Sequence, residues 1–564
     1  MRSVRLVVLA FALALSSRAV AVNTPAATCM RASGNAAARC LDRQADVIGR
    51  CRSRRDAACE QAARASGGAL DAALDRVVGP DGKSCTDAAS EPLDYTSAAD
   101  VVVRGQEACG DFATDWLDLT FAANPSSVSG AFLDCQREVA RQLGRLRNAT
   151  VRLEGPRCFL PAYRGDGCDR TRRDRRLAEV RAAVRGRIAG RCGSRFDALG
   201  LGTLDDVIAS VTTRARHFAQ LVYPPNDLGP SAAPGPYSVG VRTLALVDPA
   251  RLDVGGTGPR PVTTEVYYPS TDADVAGVPR DVIFVLGIPV VRTATYRDVA
   301  IGGGRHPLVL FSHGNGGIRF QSLFFAAHLA SHGYIVVTPD HRGNTFVDLA
   351  VGIVDPNVVT NRPRDLSFLL DRFLAFDAEA GNFFAGSVDS ARVGASGHSF
   401  GGFTVLVLAG GEGQPGSFAD PRIRAILPQA PAAPFTPAFL STITIPTLIV
   451  GGSLDETTPF ESQQHAPFDA LPSGASVVAL AELTDAGHFT FSDFCEVQRN
   501  LLAALGGFDE ACEPRHLPWR RAHDLVNYLS LNFFDAVLND DPAALARLDP
   551  AVVAEIEDLR FWRK

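Results

Sequence analysis

The chain is 564 residues long, with a formal net charge of −6, 46% hydrophobic and 21% charged residues, and 12 cysteines. That length exceeds what one hydrophobic core usually holds, so two domains are expected. No basic run is interleaved with aromatics, which argues against a nucleic-acid module, and no histidine precedes His217, which argues against a Cys/His metal site in the cysteine-rich half.

At the amino end, Arg2 and Arg5 precede an apolar stretch from Leu6 to Leu15, and Ala19-Val20-Ala21 fits a small-residue cleavage site. Residues 1–21 therefore read as a secretory signal peptide, too short in its apolar part to span a bilayer. A lipid-modified Cys29 would need that cysteine at the edge of the apolar region, and it lies well beyond it. No later segment is long and apolar enough to cross a membrane. The expected product is not transmembrane and is secreted or periplasmic, where disulfides persist.

Residues 22–222 read as a cysteine-rich, mainly helical domain. Ten cysteines (Cys29, Cys40, Cys51, Cys59, Cys85, Cys109, Cys135, Cys158, Cys168 and Cys192) precede residue 200, and only Cys495 and Cys512 follow it. Charge divides the chain similarly: residues 23–222 carry 30 Arg and Lys against 25 Asp and Glu, and the part beyond residue 222 carries 23 against 37. Apolar residues recur at helical spacing, as at Leu177, Val180, Ala183, Val184 and Ile188. A weak repeat relates Cys85–Cys109 to Cys168–Cys192, each ending in Cys-Gly before a segment with Phe and Leu. Up to five disulfides, each worth ~2–4 kcal/mol, would staple a thin core. Their connectivity is open at this level. The run Arg170, Arg172, Arg173, Arg175 and Arg176 is interleaved with Asp169, Asp174 and Glu179, the pattern of a solvated helix face. Contact of this domain with a surface or another protein stays open.

Residues 223–236 (Tyr-Pro-Pro-Asn-Asp-Leu-Gly-Pro-Ser-Ala-Ala-Pro-Gly-Pro) read as a linker. From 237 to 540 the pattern is strands alternating with helices. Strands are expected at 263–268, 282–286, 307–312, 334–339, 392–396, 424–427, 447–450 and 476–480, with helices such as 322–332 and 363–375 between them. The later strands are short and continuously apolar, as parallel strands buried on both faces must be. The fold class is α/β with a mostly parallel sheet, so a site is expected at the carboxyl ends of the strands. Residues 541–564 read as a helical tail.

Gly397-His398-Ser399-Phe400-Gly401-Gly402 is a G-x-S-x-G turn between an apolar strand and a helix-like run. A serine on such a turn needs neighbours without side chains, which Gly397 and Gly401 supply. Ser399 is the candidate nucleophile. After the strand ending at Ser312, His313-Gly314-Asn315-Gly316-Gly317 offers a glycine-rich loop, and the N–H groups of Asn315 and Phe400 are the candidate oxyanion donors. His488, in Asp485-Ala486-Gly487-His488-Phe489, follows the last strand of that series and is the candidate base. His465, His516 and His523 read more easily as surface residues. Asp455 follows the strand Thr447–Val450 and is the candidate acid, although Thr457-Thr458-Pro459 after it also suits a turn aspartate. Phe324, Phe325, Phe346, Val347 and Leu349 are candidates for pocket, lid or core. Cys495 and Cys512, isolated from the other ten, suggest a disulfide closing a loop of lid size.

Taken together, Gly235-Pro236-Tyr237-Ser238-Val239-Gly240, Val266-Tyr267-Tyr268-Pro269, Phe311-Ser312-His313-Gly314-Asn315-Gly316, Asp340-His341-Arg342-Gly343-Asn344, Asn361-Arg362-Pro363-Arg364-Asp365 and the Ser399 turn resemble the α/β-hydrolases of the platelet-activating-factor acetylhydrolase and dienelactone-hydrolase-like group. The resemblance covers residues ~235–532, a little over half of the chain. It implies an α/β-hydrolase fold, Ser399 as nucleophile, His488 as base, Asn315 and Phe400 as oxyanion donors, and no metal or organic cofactor. One departure concerns the acid. In the acetylhydrolases it follows the strand directly after the nucleophile helix, where this chain has Leu427-Pro428-Gln429-Ala430, and Asp455 stands one strand later, as in cutinase-like polyester hydrolases. The implied function is a secreted serine carboxylic-ester hydrolase acting on short-to-medium acyl or lipid-type esters. A polyester depolymerase is the alternative, and a secreted binding or attachment protein with an inactive hydrolase domain is the alternative of another class.

Overall fold

The computed structural model describes residues 24–54, 57–64, 105, 108–110, 112, 113, 115, 116, 119, 120, 130–164, 167–225, 227–285, 288–411, 414, 416–495, 497 and 512–564. The chain divides into two compact units between Asp227 and Leu228. The expected signal peptide lies outside the described residues. No described helix is long and apolar enough to cross a membrane.

The first unit is built from helices α1 (Thr24–Arg54), α2 (Ala57–Arg64), α3 (Gly130–Glu154), α4 (Arg170–Cys192) and α5 (Leu204–Val222). Asp169 caps α4 by accepting from the Arg172 N–H, and Thr203 caps α5 through the Asp206 N–H, each satisfying a donor that the helix itself cannot. The apolar stripe of α4, Leu177, Val184 and Ile188, packs with Val139, Leu143 and Leu146 of α3 and Val207 and Val211 of α5. Disulfides join Cys40–Cys109, Cys135–Cys192 and Cys158–Cys168. The equal Cys85–Cys109 and Cys168–Cys192 spacings therefore do not mark bonded pairs. Arg172, Arg175 and Arg176 are exposed, but Arg173 turns inward to Glu154, so the basic run is a solvated face with one residue recruited to the core.

The second unit holds an 11-stranded sheet in the order β11-β10-β9-β8-β7-β5-β6-β2-β1-β4-β3. Its strands are β1 (Ser238–Leu252), β2 (Pro259–Ser270), β3 (Arg280–Val285), β4 (Ile288–Arg297), β5 (His306–Ser312), β6 (Ile335–Pro339), β7 (Val388–His398), β8 (Ala425–Gln429), β9 (Thr447–Gly452), β10 (Val478–Leu483) and β11 (Leu559–Arg563). The central strands β6, β5, β7, β8, β9 and β10 are mutually parallel. β1 and β2 form a long antiparallel ribbon that joins them through β6. Helices that cover the sheet include α6 (Leu323–Ser331), α7 (Val358–Ala378), α8 (Phe400–Ala409) and α9 (Trp519–Leu538).

The period of two along each strand explains the two cores. In β5, Val309 and Phe311 join the cluster containing Phe325 and Leu329 of α6 and Leu525, Leu529 and Phe533 of α9. Leu308 and Leu310 face the opposite cluster, with Leu366, Leu370 and Phe373 of α7 and Val405 of α8. A strand packed on both sides must be apolar at every position, as this one is between His306 and Ser312.

Two stretches differ from expectation. The Pro/Gly run 223–236 is not a free tether over its second half: Leu228 is buried in the core, the Gly235 N–H donates to Ser331 Oγ at 2.8 Å, and His332 Nε2 meets the Ala233 carbonyl at 2.9 Å. Extended backbone leaves its polar groups unpaired, and the end of α6 takes them up. The tail expected to be helical begins so, with short helices Pro542–Arg547 and Pro550–Val553, but ends in β11 paired antiparallel to β10. Leu-Arg-Phe-Trp-Arg alternates and carries two aromatics, which suits an edge strand better than a helix end.

Deleting residues 559–564 removes Leu559 from the core and bares the β10 edge. The leucine alone is worth about 1.5–3 kcal/mol, so the second unit is expected to melt at lower temperature in a calorimetric scan and to scatter more light on heating.

Candidate active site

Ser399 stands between the end of β7 and the start of α8 with φ 58° and ψ −115°, a conformation that non-glycine residues rarely adopt. The turn is so tight that its neighbours have no room for a side chain. A Cβ on Gly401 would lie 1.8 Å from the Ser312 carbonyl oxygen, and one on Gly397 would lie 2.5 Å from the Gly401 carbonyl carbon. Backbone bonds fix the serine: its N–H donates to the Gln429 carbonyl at 2.9 Å, and its carbonyl accepts from the Ala432 and Phe403 N–H groups, each at 3.1 Å.

His488 begins a short helical turn after β10, and its Nε2 lies 2.9 Å from Ser399 Oγ. Its Nδ1 lies 2.8 Å from Asp455 Oδ2. A carboxylate beside Nδ1 makes that nitrogen the proton donor and leaves Nε2 as the acceptor facing the serine hydroxyl. Asp455 reaches this place because β9 and the loop after β10 run in close contact: a Cβ on Gly452 would be 2.3 Å from the Ala486 carbonyl oxygen. Thr458 holds the carboxylate, its N–H donating to Oδ1 at 2.6 Å and its Oγ1 lying 2.8 Å from Oδ2. Gln464 in turn donates to the Thr458 carbonyl at 2.8 Å. Asp455 is thus both a turn aspartate and the partner of His488, and its side chain is fully buried.

The loop after β5 supplies the other half of the site. Gly314 packs against the serine, with a Cβ there falling 3.5 Å from Ser399 Cβ. Among the described residues neither the Asn315 nor the Phe400 N–H has a hydrogen-bond partner. The Asn315 side chain accepts from Asn344 Nδ2 at 2.8 Å. A relay links this loop to the His488 loop. His398 Nε2 lies 2.9 Å from the His488 carbonyl, so it is the protonated nitrogen, and Nδ1 accepts from Gln321 Nε2 at 2.8 Å. Gln321 Oε1 then accepts the Gly314 N–H at 2.9 Å. Burial, with the nearby His488, holds the His398 imidazole well below its ordinary range.

An apolar run begins at the residue after the serine. The half-exposed rings of Phe400, Phe403, Phe435 and Phe439 form a continuous run, with successive centroids 5.4, 4.9 and 4.7 Å apart. Val347, Leu349, Val351 and Val354 are exposed, and the Phe346 N–H donates to the Gly317 carbonyl at 3.0 Å. Phe325, by contrast, is core, and Phe324 stacks on His523 at 3.5 Å. His516 and His523 are buried rather than at the surface, because α9 and the segment before it pack on the sheet. Cys495 is bonded to Cys512, and most of the chain between them lies outside the described residues, as does any lid there. A separate cavity of about 320 Å³, lined by Thr243, Glu265, Tyr267, Asp281, Arg297 and Arg319 among others, does not include Ser399, His488 or Asp455. No described group of His, Cys, Asp and Glu is arranged to hold a metal ion.

The structure brings Ser399, His488 and Asp455 into one hydrogen-bonded chain beside Gly314 and Asn315. Thr458, Gln321 and His398 were not apparent from the sequence. The only signal for Thr458 was its position three residues after Asp455, where an aspartate commonly takes up a turn N–H. Gln321 and His398 are 77 residues apart and meet only in the fold.

Residues 315–503 match the family described as PET hydrolase-like, and residues 273–347 match platelet-activating factor acetylhydrolase, isoform II. Cutinase est1 of Thermobifida alba is 30% identical over 185 residues, which is 32% of this chain and 53% of that protein. Cutinase 1 of Thermobifida cellulosilytica is 27% identical over 269 residues, covering 47% of this chain and 76% of that protein. The platelet-activating factor acetylhydrolase of Cavia porcellus is 27% identical, covering 30% of this chain and 50% of that protein. Against the first of the cutinases the chain spans about half of the relative's length. A solved ferulic acid esterase from Streptomyces cinnamoneus superposes with a TM-score of 0.47 at 23% identity, over 58% of this chain and 96% of that one.

Gly401→Ala is expected to destabilise the second unit by more than about 3 kcal/mol, since the new Cβ meets backbone that cannot yield. Gly474→Ala, whose Cβ would meet nothing within 4 Å, serves as the control, with a change within about 0.5 kcal/mol. Equal denaturation midpoints for the two variants would contradict the geometry of the turn.

A second expectation concerns acid. His313, His328, His341, His398 and His523 are buried, and desolvation lowers each imidazole, those of His328, His341 and His523 to about 3. Each stays neutral in the folded protein and takes up a proton on unfolding once the pH is below about 6.5. Their contribution is therefore fully present above that pH and is lost as pH falls toward the folded values, at up to ~1.4 kcal/mol per pH unit for each. Urea midpoints should be level above about pH 7 and fall steeply below about pH 6.

Proposed function

We propose that this chain, whose second unit belongs to the α/β-hydrolase superfamily in its platelet-activating-factor-acetylhydrolase-like group, is a secreted serine ester hydrolase. The reading is carried by one observation: the continuous hydrogen-bonded chain from Ser399 Oγ through His488 to Asp455. His488 Nε2 takes the hydroxyl proton as Ser399 Oγ attacks the ester carbonyl carbon, and Asp455 stabilises the imidazolium that forms. The Asn315 and Phe400 N–H groups donate to the developing oxyanion. Collapse of the tetrahedral intermediate breaks the C–O bond, with His488 returning the proton to the leaving alcohol. Water, deprotonated by the same histidine, then releases the acid from the acyl-enzyme. Every step uses protein groups and water alone.

The half-exposed phenylalanine rings that run from Phe400, next to Ser399, support short-to-medium acyl or lipid-type esters as substrates. The leader pattern and the disulfides support an extracytoplasmic location. A second reading, hydrolysis of a solid polyester, draws on the run of four phenylalanine rings and the exposed aliphatics of residues 347–354, together with the cutinase relatives. A purely binding role would be expected to have lost part of the Ser399–His488–Asp455 chain, which is complete.

The test is the hydrolysis of p-nitrophenyl esters of increasing acyl length by the wild type and Ser399→Ala. Loss of kcat by roughly 10⁴-fold or more in the variant is expected. An inactive wild type, or a variant as fast as the wild type, would refute the reading. Activity on soluble esters but not on a polyester film would refute the second.

A further inference from the structure

Arg362, on α7, is fully buried, yet none of its partners is a carboxylate. Its guanidinium donates to Asn344 Oδ1 at 2.5 Å, to Ser312 Oγ at 3.1 Å and to the His313 carbonyl, and its Nε has no partner among the described residues. It lies 4.6 Å from the centroid of the Phe400 ring. Burial pulls its pKa down to about 9, which still leaves it charged at neutral pH. Asp365 raises that value through space but is three hydrogen bonds away: Arg362 donates to Ser312 Oγ, Ser312 Oγ bonds to His341 Nε2 at 2.9 Å, and His341 Nδ1 to Asp365 Oδ2 at 2.9 Å. That aspartate is already engaged by Arg260 and Arg251. A cation taken out of water without an anion against it is costly, and folds seldom keep one without use.

The partners of Arg362 show what the use is. The His313 carbonyl belongs to the peptide whose N–H, on Gly314, is held by Gln321. Arg362 and Gln321 therefore clamp that peptide plane from both ends, one residue before Asn315. Through Asn344 the guanidinium also reaches the Asn315 side chain, and through its face it meets the ring of Phe400. One group thus touches the surroundings of both candidate oxyanion donors, which lie 85 residues apart in the sequence.

We propose that Arg362 is a positioning residue for the oxyanion-binding loops, its fork orienting the Asn315 and Phe400 N–H groups and its charge, which no carboxylate touches directly, favouring the negative intermediate over the neutral ester. The proposal rests on the reading of Ser399 as nucleophile. A cation matched to charge that exists only after attack acts on kcat and leaves ground-state binding nearly unchanged.

The experiment compares the full-length wild type with Arg362→Met, Arg362→Lys and Ser399→Ala on soluble p-nitrophenyl butyrate. Rates are expressed per serine labelled to completion by a fluorophosphonate, and melting temperatures are measured in parallel. For Arg362→Met, kcat is expected to fall by about 10²–10³-fold, with KM within about threefold. Arg362→Lys keeps the charge but loses the planar fork, and a fall of about tenfold is expected. A merely structural role would lower the melting temperature and the labelled fraction while leaving kcat per labelled site unchanged, and that result would overturn the proposal. If Arg362→Met does not fold, Arg362→Lys decides: wild-type kcat per labelled site overturns it, and a lowered kcat at unchanged KM supports it. Full activity in Ser399→Ala would overturn the parent reading and this one together, whereas an inactive Ser399→Ala beside an unaffected Arg362→Met and Arg362→Lys would overturn this one alone.

Discussion

The second unit is arranged around a backbone that turns too sharply for side chains. Ser399 sits at φ 58°, and the chain on either side closes so tightly that Gly401 touches the last carbonyl of β5. Holding a non-glycine residue there costs on the order of 1–3 kcal/mol, and it persists only because the packing around it allows nothing else. β7 must end beside β5, α8 must start at once, and the loop after β5 must pass over the serine. Both cores flank these strands, which places the turn where the sheet is packed on both faces.

Around that point the polar contacts are layered. Asp455 is fixed by Thr458, Thr458 by Gln464, and the peptide ahead of Asn315 is held by Gln321 and Arg362. His398 joins the two sides by offering one nitrogen to each. Its tautomer is set by a backbone carbonyl and not by solvent, so the arrangement does not depend on a protonation equilibrium near neutral pH. Oriented groups of this kind need no rearrangement when charge develops nearby.

Much of this was legible in the chain. Continuous apolar runs at β5, β9 and β10 announced parallel strands, Asp455 and His488 follow β9 and β10, and Ser399 stands at the carboxyl end of β7. The acid stood one strand later than in the acetylhydrolases, and the structure sets Asp455 against His488 at 2.8 Å. What was not legible depends on distance through space. Gln321, Thr458 and Arg362 are ordinary polar residues by local pattern, and their importance arises from contacts with residues 77, 30 and 50 positions away. β11 was hidden for another reason: five residues give too little period to outweigh the helical pattern before them.

The bond between Cys495 and Cys512 gives the chain a second covalent path around 17 residues, seven positions beyond the histidine that faces Ser399. Any single backbone cut inside that stretch leaves one molecule rather than two. The part bearing β5 to β10 stays tethered to α9, whose Leu525, Leu529 and Phe533 complete one side of the sheet. A clipped chain would be heavier than the intact one only by the water added at the cut, and would separate into two pieces only under reducing and denaturing conditions.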